Sequence, residues 1–156
     1  MVRFHAAEWH IDPHKIGVLG FSAGGHLVAA MSTHFEERLY PAMDAADKES
    51  CRPDFAVAIY PGHLWIDHKH FQLNPDIRVT NQTPPTFLLQ AEDDNVDNAN
   101  NSLVYYLELK KAGVAVEMHL YAKGGHAFGM RHTKLPIMAW PRLVDAWLRT
   151  IGMIPE

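Results

Sequence analysis

The chain has 156 residues, of which 47% are hydrophobic and 21% charged, and its formal net charge is −4. This length suits one domain with one core, and the mild acidity gives no basic surface for nucleic acid or an anionic membrane. Cys51 is the only cysteine, which excludes an internal disulfide. No apolar run approaches the roughly 20 residues that span a bilayer. We therefore expect one domain over 1–156, with neither nucleic acid nor membrane as partner.

The N-terminal segment 1–9 has the pattern of a short amphipathic helix. It lacks the apolar stretch of a secretory signal peptide, so a cytoplasmic location is the expectation for this chain.

Four short apolar runs alternate with helical patterns along the chain. Runs that are nearly continuous in apolar residues and alternate with helices are typical of a parallel sheet covered on both faces, so we predict an α/β fold. The predicted strands lie at about 15–20, 55–60, 86–91 and 116–121, and the predicted helices near 23–35, 97–112 and 141–151.

Segment 61–85 interrupts this alternation with four prolines and few periodic apolar residues. It predicts a long loop across the carboxyl edge of the sheet, where open α/β sheets place their sites. His63, His68 and His70, with Asp67, could be imagined as metal ligands, but the spacing is weak and no further ligand set accompanies it. We favour a solvated polar loop and predict no metal and no cofactor.

The stretch 20–25, Gly-Phe-Ser-Ala-Gly-Gly, joins the first predicted strand to the first predicted helix. A serine on a sharp strand-to-helix turn needs small neighbours, which explains the Gly-x-Ser-x-Gly spacing of a nucleophile elbow. Ser22 is therefore the candidate nucleophile. Because Ala23 begins the helix, its backbone N–H is the candidate oxyanion donor.

An activated serine needs a general base. His126 follows the strand at 116–121 within the run Gly-Gly-His-Ala-Phe-Gly, and glycines suit a tightly turned loop that presents an imidazole from the sheet edge. We predict that His126 is the base for Ser22.

The base in turn needs an orienting carboxylate, and three candidates follow the strand at 86–91: Glu92, Asp93 and Asp94. We favour Asp93, because Val96 three positions later matches an Asp-x-x-Val turn, and Asp94 remains the alternative. The chain order Ser, acid, His is that of α/β-hydrolases.

These motifs resemble the α/β-hydrolase superfamily serine esterases, most closely the acetyl-xylan-esterase-like carbohydrate esterases and small lipase-like esterases. The resemblance covers nearly the whole chain. It implies Ser22 as nucleophile, Asp93 as acid, His126 as base and the Ala23 N–H in the oxyanion hole. The matching blocks are 9–13, 20–27, 84–88, 93–96, 101–106 and 124–129.

Three aromatic side chains are candidates for the substrate pocket: Phe21, Trp65 and Phe128. Packing in the core or in a loop is the competing explanation for them.

The family normally has further strands and a His-Gly-Gly-Gly-type oxyanion loop before the elbow, and no such loop precedes Ser22. The chain therefore looks like the C-terminal portion of the fold, with an unpaired edge at its first strand. We expect a homodimer or higher homo-oligomer to cover this edge. A second oxyanion donor would come from the loop at 61–66 or from the partner copy.

The motifs together predict a serine esterase that hydrolyses short-acyl carboxylic esters as small-molecule substrates, with acetylated sugars as one candidate class. Two alternatives stay open. A prolyl-oligopeptidase-like serine peptidase shares the elbow and the residue order, and the absent oxyanion loop favours a non-catalytic remnant that acts as a binding or assembly module.

Overall fold

The computed structural model describes residues 1–67 and 70–155. Short 3₁₀ turns lie at Ala46–Lys48 and Pro136–Ala139. Within the described ranges, no helix has both the length and the apolar character needed to cross a membrane. The regular elements, in chain order, are β1 (Gly17–Phe21), α1 (Ala23–Thr33), β2 (Phe55–Ile59), β3 (Trp65–Asp67), β4 (Gln72–Leu73), β5 (Thr86–Ala91), α2 (Asn100–Lys111), β6 (Val116–Tyr121) and α3 (Trp140–Thr150).

The four predicted strands form one parallel sheet in the order β1-β2-β5-β6. In the register of the central pairs, Gly20 lies opposite Ala58 and Ala58 opposite Leu88. All four strands point the same way, so the turns that follow them meet at one edge of the sheet. The predicted α/β fold is confirmed, and the predicted strand bounds hold to within two residues.

The two central strands are buried on both faces, and alternate residues along them face two separate cores. One core contains Val57, Phe87 and Leu89 and is covered by Trp140 and Trp147 of α3. The other core lies on the opposite face, where α1 and α2 cover the sheet. Its buried members include Val28, Ala29, Ala56, Ala58, Leu88, Tyr105 and Leu109.

The N-terminal segment does not form the predicted amphipathic helix. Residues 2–10 are a series of turns, with separate backbone bonds such as Trp9 N–H to the His5 carbonyl at 2.9 Å. Tertiary contacts fix this segment instead, because the Arg3 guanidinium donates to the carbonyl of Arg52 and pairs with Asp54 at 3.2 Å. A helix this short is also marginal on its own.

Segment 61–85 is not purely a loop. It contains a two-stranded antiparallel hairpin, β3–β4, in which Trp65 lies opposite Leu73 and the register shifts within β3. The Asn101 side-chain oxygen ties the hairpin to α2 by accepting the backbone N–H groups of Leu64 at 2.8 Å and Trp65 at 2.9 Å. Strands this short and irregular leave no period-2 pattern in the sequence, which is why the hairpin was not predicted.

Candidate active site

The turn between β1 and α1 holds Ser22 in a strained backbone conformation, with φ 54° and ψ −119°. Close backbone approach explains two of the glycines around it, Gly20 and Gly25. A Cβ on Gly20 would lie 2.2 Å from the carbonyl oxygen of Gly24, and a Cβ on Gly25 would lie 2.9 Å from Pro61 Cα. Gly20 and Gly25 are therefore packing requirements of the turn, whereas a Cβ at Gly24 would meet nothing within 4 Å.

Backbone hydrogen bonds on both sides of Ser22 keep the turn in place. The Ser22 N–H donates to the Ile59 carbonyl at 3.1 Å, and the Ser22 carbonyl accepts the N–H groups of His26 at 3.1 Å and Gly62 at 3.3 Å. Strain at a non-glycine residue persists only where the surroundings over-determine it, as these bonds do here. The side chain is thus presented at the carboxyl edge of the sheet.

His126 reaches Ser22 from the loop after β6. The Ser22 hydroxyl donates to His126 Nε2 at 2.9 Å, and His126 Nδ1–H donates to Asp94 Oδ2 at 2.8 Å. These two bonds agree on one neutral tautomer of the imidazole, with the proton on Nδ1 and the lone pair on Nε2. The structure therefore brings Ser22 and His126 together as the sequence predicts.

Asp94, and not the favoured Asp93, is the carboxylate on His126. The Asp94 side chain is fully enclosed, and its other oxygen accepts the backbone N–H groups of Val96 at 2.9 Å and Asp97 at 3.0 Å. These bonds make a turn directly after β5 and aim one oxygen at the imidazole. The same turn delays α2, which begins at Asn100 rather than at the predicted residue 97.

Asp93 points the other way and holds the histidine loop by its backbone. Asp93 Oδ1 accepts the N–H groups of Gly124 and Gly125, both at 2.8 Å. The Gly125 N–H, followed by that of Gly124 and the charge of Lys123, holds the pKa of Asp93 below its usual range. The assignment of Asp93 as the acid on the imidazole is thus wrong, because its carboxylate is committed to the loop that carries His126.

Asp97 belongs to the site, although sequence reasoning gave it no role there. Its Oδ2 lies 3.2 Å from Ser22 Oγ and 3.7 Å from His126 Nε2. The absence of a side chain at Gly62 makes room for this carboxylate, since a Cβ there would lie 2.4 Å from Asp97 Oδ1. The sequence signal that could have indicated Asp97 is its spacing, because it lies in the same turn as Asp94, three residues later.

An aromatic cluster of Tyr60, Phe128 and Phe21 packs beside the imidazole of His126. The Tyr60 ring lies 5.0 Å from the His126 ring and 4.6 Å from the Phe128 ring. Burial raises the pKa of Tyr60, so its hydroxyl stays protonated in the neutral pH range. Phe128 is only 4% exposed and belongs to the core, and Phe21 packs 5.7 Å from both Tyr60 and Trp140.

Of the three aromatic pocket candidates, Phe21 and Phe128 are therefore placed in core packing rather than on an open substrate wall. Trp65 lies on the hairpin, half-buried, with its ring 6.4 Å from that of Phe71. Its role as a substrate contact stays a prediction.

The start of α1 offers a candidate oxyanion donor, because the first N–H groups of a helix have no acceptor within the helix. Ala23 is the first residue of α1 and follows Ser22 directly. The loop at 61–66 was expected to offer a second oxyanion donor, but several of its N–H groups already have acceptors. The Gly62 N–H donates to the Ser22 carbonyl, and the N–H groups of Leu64 and Trp65 donate to Asn101 Oδ1. These three amides are engaged as the loop stands.

The histidines of segment 61–85 are not gathered into a metal centre in the part of the chain that the structure describes, where no group of three or more His, Cys, Asp or Glu could hold an ion. His63 packs edge-on against His26, with ring centres 6.0 Å apart. His68 lies outside the described residues.

The sequence profile of the prolyl oligopeptidase family matches residues 1–151. The chain belongs to this family. An acetylxylan esterase of Xylanibacter ruminicola is 29% identical over 174 aligned positions, which cover 97% of this chain and 32% of the relative. The endo-1,4-beta-xylanase B of Butyrivibrio fibrisolvens is 26% identical, over 80% of this chain and 22% of that protein.

Solved structures of this fold superpose closely. An acetyl ester-xyloside bifunctional hydrolase from Caldicellulosiruptor lactoaceticus has a TM-score of 0.86 at 34% identity, covering 98% of this chain and 62% of the other. The α/β hydrolase MGS-M1, from a Medee basin deep-sea metagenome library, has a TM-score of 0.74 at 30% identity, over 96% and 60%. The resemblance to α/β-hydrolase esterases is thus confirmed, and the chain spans about three fifths of these structures and a third or less of the curated relatives.

Proposed function

We propose that this family member is a serine esterase that hydrolyses short-acyl carboxylic esters, with acetylated sugars among its candidate substrates. The observation that carries the proposal is the continuous hydrogen-bonded path from Asp94 through His126 to Ser22, at 2.8 and 2.9 Å. A nucleophile, a base with its lone pair toward that nucleophile and a carboxylate on the far nitrogen are the parts that acyl transfer through an acyl-enzyme needs.

The residues of this path and the neighbouring Ala23 N–H account for each step of the proposed reaction. His126 Nε2 takes the hydroxyl proton as Ser22 Oγ attacks the ester carbonyl, and the Ala23 N–H faces the developing oxyanion. Asp94 holds the imidazole and stabilises the imidazolium. His126 then gives the proton to the leaving alcohol, and water cleaves the acyl-enzyme with the same base.

The relatives support esters over peptides as substrates, because those at 29% and 34% identity are an acetylxylan esterase and an acetyl ester-xyloside bifunctional hydrolase. A peptidase remains the alternative within the prolyl oligopeptidase family. Parallel assays on acyl esters and on amino-acyl amides separate the two, and preferential cleavage of the amides would contradict the esterase proposal.

A non-catalytic remnant is the alternative from another class. It is favoured by the candidates for a second oxyanion donor, because the N–H groups of Gly62, Leu64 and Trp65 are already bonded. Reaction with a fluorophosphonate probe discriminates here, because only an activated serine reacts rapidly. We expect Ser22 to be labelled, and a lack of labelling would favour the remnant.

The direct test of the proposed function is Ser22→Ala. Because the nucleophile is removed, hydrolysis of p-nitrophenyl acetate should fall by at least about a thousandfold. Ser50→Ala is the matched control, since Ser50 is exposed and only caps a neighbouring turn through the Arg52 N–H. Hydrolysis by Ser22→Ala at the rate of the parent would show that Ser22 is not the nucleophile.

A further inference from the structure

Asp97 is a carboxylate in the site that the proposed reaction does not use. Its side chain is 14% exposed, and its backbone is fixed by the bond from its N–H to Asp94 and by Gln90 Nε2, which donates to its carbonyl at 2.8 Å. The side chain is thus held beside the nucleophile by the same turn that holds Asp94 against the imidazole.

The potentially cationic neighbour of this carboxylate is His126, which carries a charge only when it is protonated. Within the described ranges, no Lys or Arg nitrogen pairs with Asp97, and its Oδ1 accepts no hydrogen bond there. A negative charge 3.2 Å from Ser22 Oγ opposes the oxyanion that forms on attack. Ser22 has one hydroxyl proton for both Asp97 Oδ2 and His126 Nε2, so the carboxylate would gain a hydrogen bond from a donor brought by the substrate.

The position of the carboxylate indicates which part of a substrate would bring that donor. The leaving alcohol oxygen must approach His126 Nε2 to receive its proton. Asp97 Oδ2 lies 3.7 Å from that nitrogen, so it borders the space of the leaving alcohol. A free hydroxyl on the carbon adjacent to the one that bears the ester oxygen would lie close to the carboxylate and could donate to it.

We propose that Asp97 binds the leaving alcohol and selects esters in which a free hydroxyl neighbours the ester, as in partly acylated sugars and polyols. The proposal rests on the proposed esterase function and adds to it a residue and a feature of the substrate. It also disfavours leaving alcohols that carry an anionic group at this position, because two negative charges would then lie close together.

The test compares two acetate esters that differ only in this hydroxyl, 2-hydroxypropyl acetate and propyl acetate, with the parent chain, Asp97→Asn and Asp97→Ala. A hydrogen bond to a charged acceptor corresponds to about a ten- to hundredfold effect on kcat/KM. We expect each Asp97 variant to lose at least about ten times more activity on the hydroxylated ester than on the plain one. Asp145→Asn, on the exposed face of α3, is the control for an aspartate-to-asparagine change.

Asp97→Asn keeps the shape of the side chain, and a circular dichroism melt checks that each variant is folded. Equal losses on both esters, with a common shift of the pH profile, would overturn the proposal and assign Asp97 to the positioning of His126. No loss on either ester would overturn it as well. Fluorophosphonate labelling of Ser22 distinguishes failure of this proposal from failure of the proposed esterase function. If Ser22 is labelled and the Asp97 variants lose equal activity on both esters, only the role of Asp97 is refuted. If the parent chain shows neither labelling nor hydrolysis, the esterase function is refuted, and the role of Asp97 with it.

Discussion

Two adjacent carboxylates, Asp93 and Asp94, both act on the position of His126, but by different contacts. Asp94 accepts a hydrogen bond from the imidazole itself, whereas Asp93 accepts the backbone N–H groups of Gly124 and Gly125, which precede His126 in the chain. Removing either carboxylate should therefore lower activity. The loss should be larger for Asp94, because only Asp94 determines the tautomer of His126 and stabilises the imidazolium.

We expect Asp94→Asn to lower kcat for p-nitrophenyl acetate on the order of ten-thousandfold, because an amide at this position favours the wrong tautomer. Asp93→Asn should cost at least about a hundredfold less, since the loop keeps its other contacts. Steady-state kinetics on the two purified variants measure the difference. A more severe loss in Asp93→Asn than in Asp94→Asn would reverse the assignment made from the geometry.

The choice between these neighbours illustrates the limit of sequence reasoning at the residue scale. Position after a strand and chain order predicted which turn holds the acid, and both were right. Side-chain direction in the turn depends on where Asp94 finds backbone donors, at Val96 and Asp97, and that depends on three-dimensional closure of the turn. The contact of Asp97 with Ser22, 75 positions apart, leaves no local pattern at all.

Among the elements, the loop after β6 depends on an ionised Asp93. The backbone N–H groups of Gly125 and Gly124 and the charge of Lys123 favour the carboxylate, so its pKa is lower in the folded state than in the unfolded chain. The stabilisation is then fully present above the unfolded pKa of about 3.9, and it is lost as the pH falls through the lower folded pKa.

Acidification should therefore remove the advantage of the parent chain over Asp93→Asn. We expect the difference in thermal unfolding midpoint between the two proteins to be constant from pH 7 to pH 5 and to shrink below about pH 4. Unfolding followed by circular dichroism at a series of pH values measures it. A difference that stays constant down to pH 2 would mean that the carboxylate is not ionised in this bond.

The elements divide clearly into those that a sequence pattern predicts and those that it does not. β2 is apolar throughout and β5 nearly so because both faces are covered, and α2 ends at Lys111, two residues before Gly113, where φ is +74°. The N-terminal turns and the β3–β4 hairpin were not predicted, because contacts with residues distant in the chain determine them. Arg3 makes these contacts for the N-terminal turns and Asn101 makes them for the hairpin. Periodicity carries no information about such contacts.

At the scale of the whole molecule, the sheet ends at β1, the strand that leads to Ser22, with one of its edges unpaired among the described residues. Apolar side chains near this edge are exposed: Leu19 at 48%, Leu27 at 60% and Met31 at 48%. A groove of about 690 Å³ runs beside the start of β1, between the N-terminal segment and residues 35–53, at the end of the strand away from Ser22. An unpaired strand beside exposed apolar side chains favours association.

We expect a second copy of the chain to cover this edge, so that sedimentation velocity shows a concentration-dependent dimer or larger homo-oligomer. Leu19→Asp places a charge on the unpaired strand and should shift the protein toward monomer by at least about tenfold in dissociation constant. Leu120→Asp is the matched control, because Leu120 is 46% exposed on β6, at the opposite edge of the sheet. A parent chain that stays monomeric over a wide concentration range would contradict self-association, and an equal effect of both variants would place the contact elsewhere.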